Sequence, residues 1–190
     1  DELGGSLSKI ALLSDLVQGN GAGEESKDRL RSIADHARQV RGSLNDVVWA
    51  ADPTSDHAGA LLQHIADRAH RLLDGTGVEL QLDLHAADPA QPLGPAFKRD
   101  LSMVVKEALN NALKHARPTS IAVRFHLRGS YYELAVSDNG QGLGHSPTDG
   151  GNGMANMLER ISAHGGTFTV RGAVNGQGTV VEAHGAFNGA

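Results

Sequence analysis

The sequence predicts an α+β protein: a helical hairpin, completed by a second copy into a dimeric four-helix bundle, precedes a layered sandwich of helices on a mixed, mainly antiparallel sheet. Three observations predict it. Up to Asp52 apolar residues recur at steps of three and four, whereas beyond Thr54 several runs alternate at steps of two. The later strands and helices also lack the regular βαβ alternation of a doubly wound sheet. The pattern changes at Asp52-Pro53, because the residue before a proline is pushed out of the helical region. Residues 1–52 and 53–190 are therefore expected to form separate units.

In the first segment Leu3, Leu7, Ile10 and Val17 share one helical stripe, which GNGAGEES interrupts. Leu30, Ile33, Ala37, Val40, Leu44 and Val47 then form a heptad seam. Two helices with such seams leave apolar surface uncovered, which predicts a homodimer through residues 1–50. A helix follows from Ala60 to Leu73, with Leu61, Leu62, Ile65, Ala69 and Leu72 on its apolar side and Gly75 and Gly77 stopping it. Val78 to Leu84 alternates as a half-buried strand, and Pro89 to Pro95 reads as a linker. After a helix containing KEALNNALKHA come strands at Ser120 to Arg128 and Tyr131 to Ser137. A glycine-rich loop, a helix from Met154 to His164 and a hairpin of TFTVRGAV and TVVEAH complete the chain.

Composition excludes several functions. The formal charge of −5, without a Lys/Arg run, argues against a nucleic-acid groove or an anionic membrane surface. No apolar run approaches the roughly 20 residues that cross a bilayer, and cysteine is absent, which removes disulfide and thiolate chemistry and fits a cytoplasmic setting. The chain begins at Asp1, already inside an apolar-periodic pattern, as a piece of a longer protein would.

Four stretches invite chemistry. In KEALNNALKHA, residues 106–116, the apolar stripe Leu101, Val105, Ala108, Leu109, Ala112 and Ala116 opposes Glu107, Asn110, Asn111 and Lys114, with His115 at its edge. A solvated face explains most such patterns, but two adjacent asparagines are poor helix formers that nothing local requires. A carboxylate, a carboxamide and an ammonium within two turns suit Mg²⁺ and a polyphosphate. SDNGQGLG, residues 137–144, reads alone as a hairpin turn. Its Gly140, Gly142 and Gly144 exceed what a tight turn uses and allow close approach of a ligand, while Asp138 at the strand end suits an exocyclic amine. GGNGMANM, residues 150–157, puts Gly151 and Gly153 at a helix start, an arrangement as common without function as with an anion. Asn156 breaks the dinucleotide-binding fingerprint, and no Walker-type loop occurs. GQGT, residues 176–179, is by itself another turn. His64, Asp67 and His70 diverge around their helix and read as a solvated face.

In this order and spacing, the chain from about Thr54 resembles the ATP-binding domain of the family that joins histidine kinases, Hsp90, MutL and type II topoisomerases, which implies a Bergerat-type α/β sandwich. KEALNNALKHA resembles its N box, SDNGQGLG its G1 box, GGNGMANM its G2 box and GQGT its final glycine-threonine element. DELGGSL at the N-terminus is similar to the segment after the phosphoacceptor histidine in sensor kinases of the NarL/DesK class.

The resemblance implies ATP and Mg²⁺ as cofactors, with Asn111 the metal ligand, Lys114 at the phosphates, His115 among the cofactor-binding residues, and Glu107 orienting the metal or its water. It implies that Asp138 reads the adenine amino group beside Thr179. Gly140, Gly142, Gly144, Gly151, Gly153 and Met154 would frame the nucleotide and a lid over His145 to Asn152, with Met157 and Leu158 at its base. The acceptor histidine would lie just before Asp1, whose carboxylate is the implied base, and His36 does not match the motif. Gly5 departs from the pattern, standing where many relatives carry a glutamine credited with positioning water for dephosphorylation. A hinge at Asp52 to Asp56, a response regulator as partner and a membrane-anchored parent with a cytoplasmic catalytic part follow as expectations. Two other readings stay open: an ATPase of the same superfamily, and a non-catalytic dimerisation or docking module.

Overall fold

The computed structural model describes residues 48–142, 152–173 and 177–187, together with Ile33, Ala37 and Asp46. Contacts divide the chain into two compact units, residues 1–52 and 53–190. In the first, residues 48–51 are helical, as are positions 33, 37 and 46. Apart from Ile33 and Ala37, the residues of the expected hairpin seam, and with them its pairing with a second copy, fall outside those described.

The second unit opens with a 3-10 turn, Pro53–Ser55, followed by α1, Ala58–Leu73. His57 caps α1, its Nδ1 accepting the Ala60 N–H at 3.2 Å. The helix stops where Gly75 and Gly77 take φ of 71° and 74°, and Thr76 Oγ1 donates to the Leu73 carbonyl at 2.7 Å. Leu61, Ile65 and Ala69 are buried as the periodicity predicts, but Leu73 rather than Leu72 completes the face. Strand β1 is Glu79–Ala86. Helix α2, Pro95–Asn111, begins with proline in its first turn, where the missing N–H costs nothing. It continues as a π-helical turn, Ala112–Ala116. Strands β2 (Ser120–Arg128) and β3 (Tyr131–Asp138) form a hairpin. Helix α3 is Gly153–Ser162, and β4 (Thr167–Gly172) and β5 (Thr179–Ala186) end the unit.

The sheet runs β1-β2-β3-β5-β4. Only the β1–β2 pair is parallel, the α2 crossover joining its strands; β2–β3, β3–β5 and β4–β5 are antiparallel. Register sends alternate residues to opposite faces. Leu82 pairs Val123, Phe125 pairs Leu134 and Val136 pairs Val181 on the inner face. Helix α1 lies against β1 and α2, while α3 lies against α2 and β4, so all three helices cover this one face. Between the layers Phe97 stacks on Phe187, with ring centroids 4.5 Å apart, and meets Tyr132 edge-on at 5.1 Å. The other face is charged, with Asp83–Arg124 and Arg171–Glu182 ion pairs. The stretch Pro89 to Pro95, expected as a linker, is bonded in: Gln91 and Pro89 carbonyls accept from Ala58 and Gly59, and His57 bridges Pro92.

Candidate functional site

The described parts of the four motifs touch in pairs, through glycines that leave no room for a side chain. Strand β3 ends at Asp138 beside the start of β5, so GQGT lies against SDNG. A Cβ on Gly178 would collide with the Asp138 carbonyl oxygen, and Gly178 takes φ 92°. Gly140 in turn backs onto Ala116 at the end of the π turn, where a Cβ would strike the Ala116 carbonyl. That carbonyl accepts the Gln141 N–H at 2.9 Å. Asn139 fastens the same corner: its Oδ1 accepts from Thr119 and Ser120 N–H at 2.9 and 3.0 Å, and its Nδ2 donates to Thr119 Oγ1 at 2.8 Å. At the other side Gly153 opens α3 against α2, the place of its missing Cβ lying on Glu107 Oε1.

Asp138 is nearly buried, and its Oδ1 accepts the Gly140 N–H at 2.9 Å. This Asx turn aims the carboxylate back into the corner and leaves Oδ2 without a partner among the described residues. Glu107 and Asn111, one turn apart on α2, are half-buried, and Lys114 and His115 are exposed. The last two sit in the π turn, whose i→i+5 winding departs from the α-helical wheel. The expected straight helical face thus ends at Asn111. Thr179 is half-buried at the start of β5, and Gly142 takes φ 76° within 3.3 Å of the Gly178 carbonyl oxygen, measured from an ideal Cβ. Met154 and Leu158 are exposed on α3, whereas Met157 is core. Asp1, Gly144 and Gly151, and all of the expected lid except Asn152, fall outside the described residues.

An ion cluster braces the two helices beneath these motifs. Asp100 of α2, 6% exposed, accepts from Arg160 at 2.9 Å and contacts His164 Nε2 at 2.9 Å, with Arg99 at 3.3 Å. Burial works against its carboxylate, but His164, Arg99 and Arg160 together outweigh it and hold the group below its ordinary value of 3.8. Sequence reasoning missed this cluster, because Arg160 and His164 lie 60 and 64 residues from Asp100. It also missed Asn139 and the Ala116 carbonyl; an Asn in a turn after a strand was the available signal for the first. A groove of about 430 Å³ lined by His70, Asp74, Val78 and Leu80 lies elsewhere and contains none of the motif residues. Among the described residues no helix is long and apolar enough to cross a membrane.

Comparison with known proteins adds relatives to this geometry. Residues 97–186 match the family described as histidine kinase-, DNA gyrase B-, and HSP90-like ATPase. The chain is 26% identical over 179 residues to the signal transduction histidine-protein kinase/phosphatase UhpB of Salmonella typhimurium, covering 90% of this chain and 34% of the relative. It is 26% identical over 187 residues to the sensor histidine kinase YvfT of Bacillus subtilis, covering 95% and 46%. The chain thus spans a third to a half of these relatives. Full-length ShkA, solved in complex with AMPPNP, superposes with a TM-score of 0.56 at 18% identity, over 97% of this chain and 43% of that one, a likeness of fold.

Proposed function

We propose, from the premise that residues 97–186 form a histidine kinase-, DNA gyrase B- and HSP90-like ATPase domain, that this chain is the catalytic core of a two-component sensor histidine kinase. It binds Mg-ATP, transfers the γ-phosphoryl group to a histidine just upstream of Asp1, and the group passes on to a response-regulator aspartate. The observation that carries this reading is the convergence of motifs: Gly153 on Glu107, Gly140 on Ala116 and Gly178 on Asp138. At each of these glycines the missing side chain lets one motif segment pack directly on another: Gly140 and Gly153 on residues 106–116, Gly178 on residues 137–144.

The residues fit the magnesium ion the family implies. Glu107 and Asn111 offer oxygens one turn apart, and the missing side chain of Gly153 leaves room for the Glu107 carboxylate beside the start of α3. Held by these oxygens, a magnesium ion would supply charge neutralisation for the triphosphate. The chain's own groups do the rest by position, since phosphoryl transfer needs little covalent help. Asp138 holds the adenine amine through Oδ2, while Gly140 locks Oδ1. Lys114 and the exposed amides at the start of α3 face the phosphates with positive charge. Asp1 holds the acceptor imidazole and takes its proton. Homodimerisation through residues 1–50, read from the apolar seams of that segment, a membrane-anchored parent and a cytoplasmic site complete the proposal.

The test is calorimetry of Mg-ATP with wild type and Asp138→Asn. Replacing a hydrogen bond to a charged group costs about 1.5–3 kcal/mol, so affinity should fall roughly tenfold to a hundredfold. Equal affinities would remove Asp138 from the site. Hydrolysis without a phosphohistidine, in a chain that includes the acceptor, would favour the ATPase reading instead.

A further inference from the structure

Strand β3 leaves its pairing with β2 at Asp138, which stands opposite Ile121. Beyond it, the turn of residues 139–141 is stitched to the chain that enters β2. The Asn139 N–H donates to the Ser120 carbonyl at 3.3 Å. The Asn139 side chain adds three bonds, accepting at Oδ1 from the Thr119 and Ser120 N–H groups and donating from Nδ2 to Thr119 Oγ1. Thr119 is itself tied to β1, its carbonyl accepting the Glu79 N–H at 2.9 Å. On the far side of Gly140, the Gln141 N–H reaches the Ala116 carbonyl at 2.9 Å. Gly140 is thus bracketed, and its own N–H is the donor to Asp138 Oδ1 at 2.9 Å. Where Gly140 is held, the Asp138 carboxylate is aimed.

That aim decides which purine fits. A fixed carboxylate accepts from the amino group of adenine and opposes the carbonyl oxygen that guanine carries in its place. Guanine instead offers two donors, N1–H and the 2-amino group, further along the same edge, within reach of a carboxylate free to swing. We propose that Asn139 is a positioning residue that sets purine specificity: by holding the turn against residues 119 and 120, it keeps Asp138 on the adenine amine and off the guanine donors. This rests on the kinase reading above, which gives Asp138 to adenine. Asn139 and Thr119 are both exposed. Removing their contact leaves the core untouched, and the freed N–H groups turn to water, so the side-chain bonds supply orientation more than stability.

The experiment measures Kd for Mg-ATP and for Mg-GTP by calorimetry in the full chain of residues 1–190, for wild type, Asn139→Ala and Asn139→Asp. Wild type should prefer ATP, and Asn139→Ala should lower the ratio of the two affinities at least about fivefold. Asn139→Asp keeps an acceptor for the two N–H groups and lets the Thr119 hydroxyl donate to it, so its ratio should stay within about twofold of wild type. Its added charge weighs on both triphosphates alike and cancels in the ratio. If Asn139→Ala fails to fold, Thr119→Val decides: it removes Oγ1, leaves Asn139 in place and should lower the ratio at least about threefold. A variant that weakens both nucleotides equally and leaves the ratio unchanged overturns the proposal, as does an Asn139→Asp ratio as low as that of Asn139→Ala. A wild type that binds no Mg-ATP, or does not prefer it, removes the adenine reading of Asp138 and this role together. A wild type that prefers ATP, beside variants that keep its ratio, removes this role alone.

Discussion

Gly178 and Gly153 both lack space for a methyl group, yet the consequences of adding one differ. At Gly178 a Cβ meets the backbone carbonyl of Asp138, which cannot move without unpicking β3, and φ of 92° adds strain. Gly178→Ala should cost at least about 2 kcal/mol, measured by chemical denaturation. At Gly153 the obstacle is the tip of the flexible Glu107 side chain. Gly153→Ala should leave stability within about 1 kcal/mol while lowering phosphoryl transfer by displacing that carboxylate; a variant that is stable and fully active would detach Glu107 from the reaction. Arg117 gives a third case, holding φ 49° directly after the π turn. Glycine there removes left-handed strain of about 1–2 kcal/mol less its own chain entropy, whereas Arg117→Ile should destabilise. At this scale the glycines were legible, since three in five residues exceed any turn. Arg117 was not, because arginine carries no signal for positive φ.

Between elements, the Asp100 cluster joins α2 to α3 and so ties the N box to the helix that opens with Gly153. The folded pKa of Asp100 lies below 3.8, so near that pH the folded protein binds fewer protons than the unfolded chain. Its contribution is fully present above about pH 4 and is lost as pH falls through the folded value. His164, Arg99 and Arg160 must then lose their anionic partner together. Asp100→Asn should therefore lower stability at neutral pH and flatten the acid limb of the stability curve; a limb that keeps its wild-type slope would assign it to other carboxylates. Helix and strand existence was readable here from period alone, and β2 was read to its ends. What periodicity does not encode is partnership. Nothing in VELQLDL says that β1 pairs parallel with β2, and nothing in KEALNNALKHA says that its last turn widens to a π turn. The substitution of Leu73 for Leu72 in the α1 face has the same origin, since α2 and β1 decide which side of the last turn is covered.

For the whole molecule, the sequence changes pattern at Asp52-Pro53 and the contacts divide between residues 52 and 53. Legibility is unequal on the two sides. The second unit announced itself through motifs that pack on one another, whereas the first is read from an apolar seam whose expected partner is another chain. These two kinds of stability respond to different variables. The larger unit, with its own core around Phe97, Phe125 and Tyr132, should be stabilised by nucleotide through mass action. Mg-ATP at a hundred times its Kd adds about 2.7 kcal/mol, a rise in melting temperature of roughly 10 °C for a unit of this size. A paired stalk depends instead on protein concentration, because folding and association are one event. Thermal unfolding of residues 1–190 should accordingly show two transitions, one raised by Mg-ATP and indifferent to protein concentration, the other raised by concentration and indifferent to nucleotide. Asp138→Asn should abolish the nucleotide shift alone. A single transition moved by both variables would mean that residues 1–52 and 53–190 unfold as one body, against the division at Asp52-Pro53.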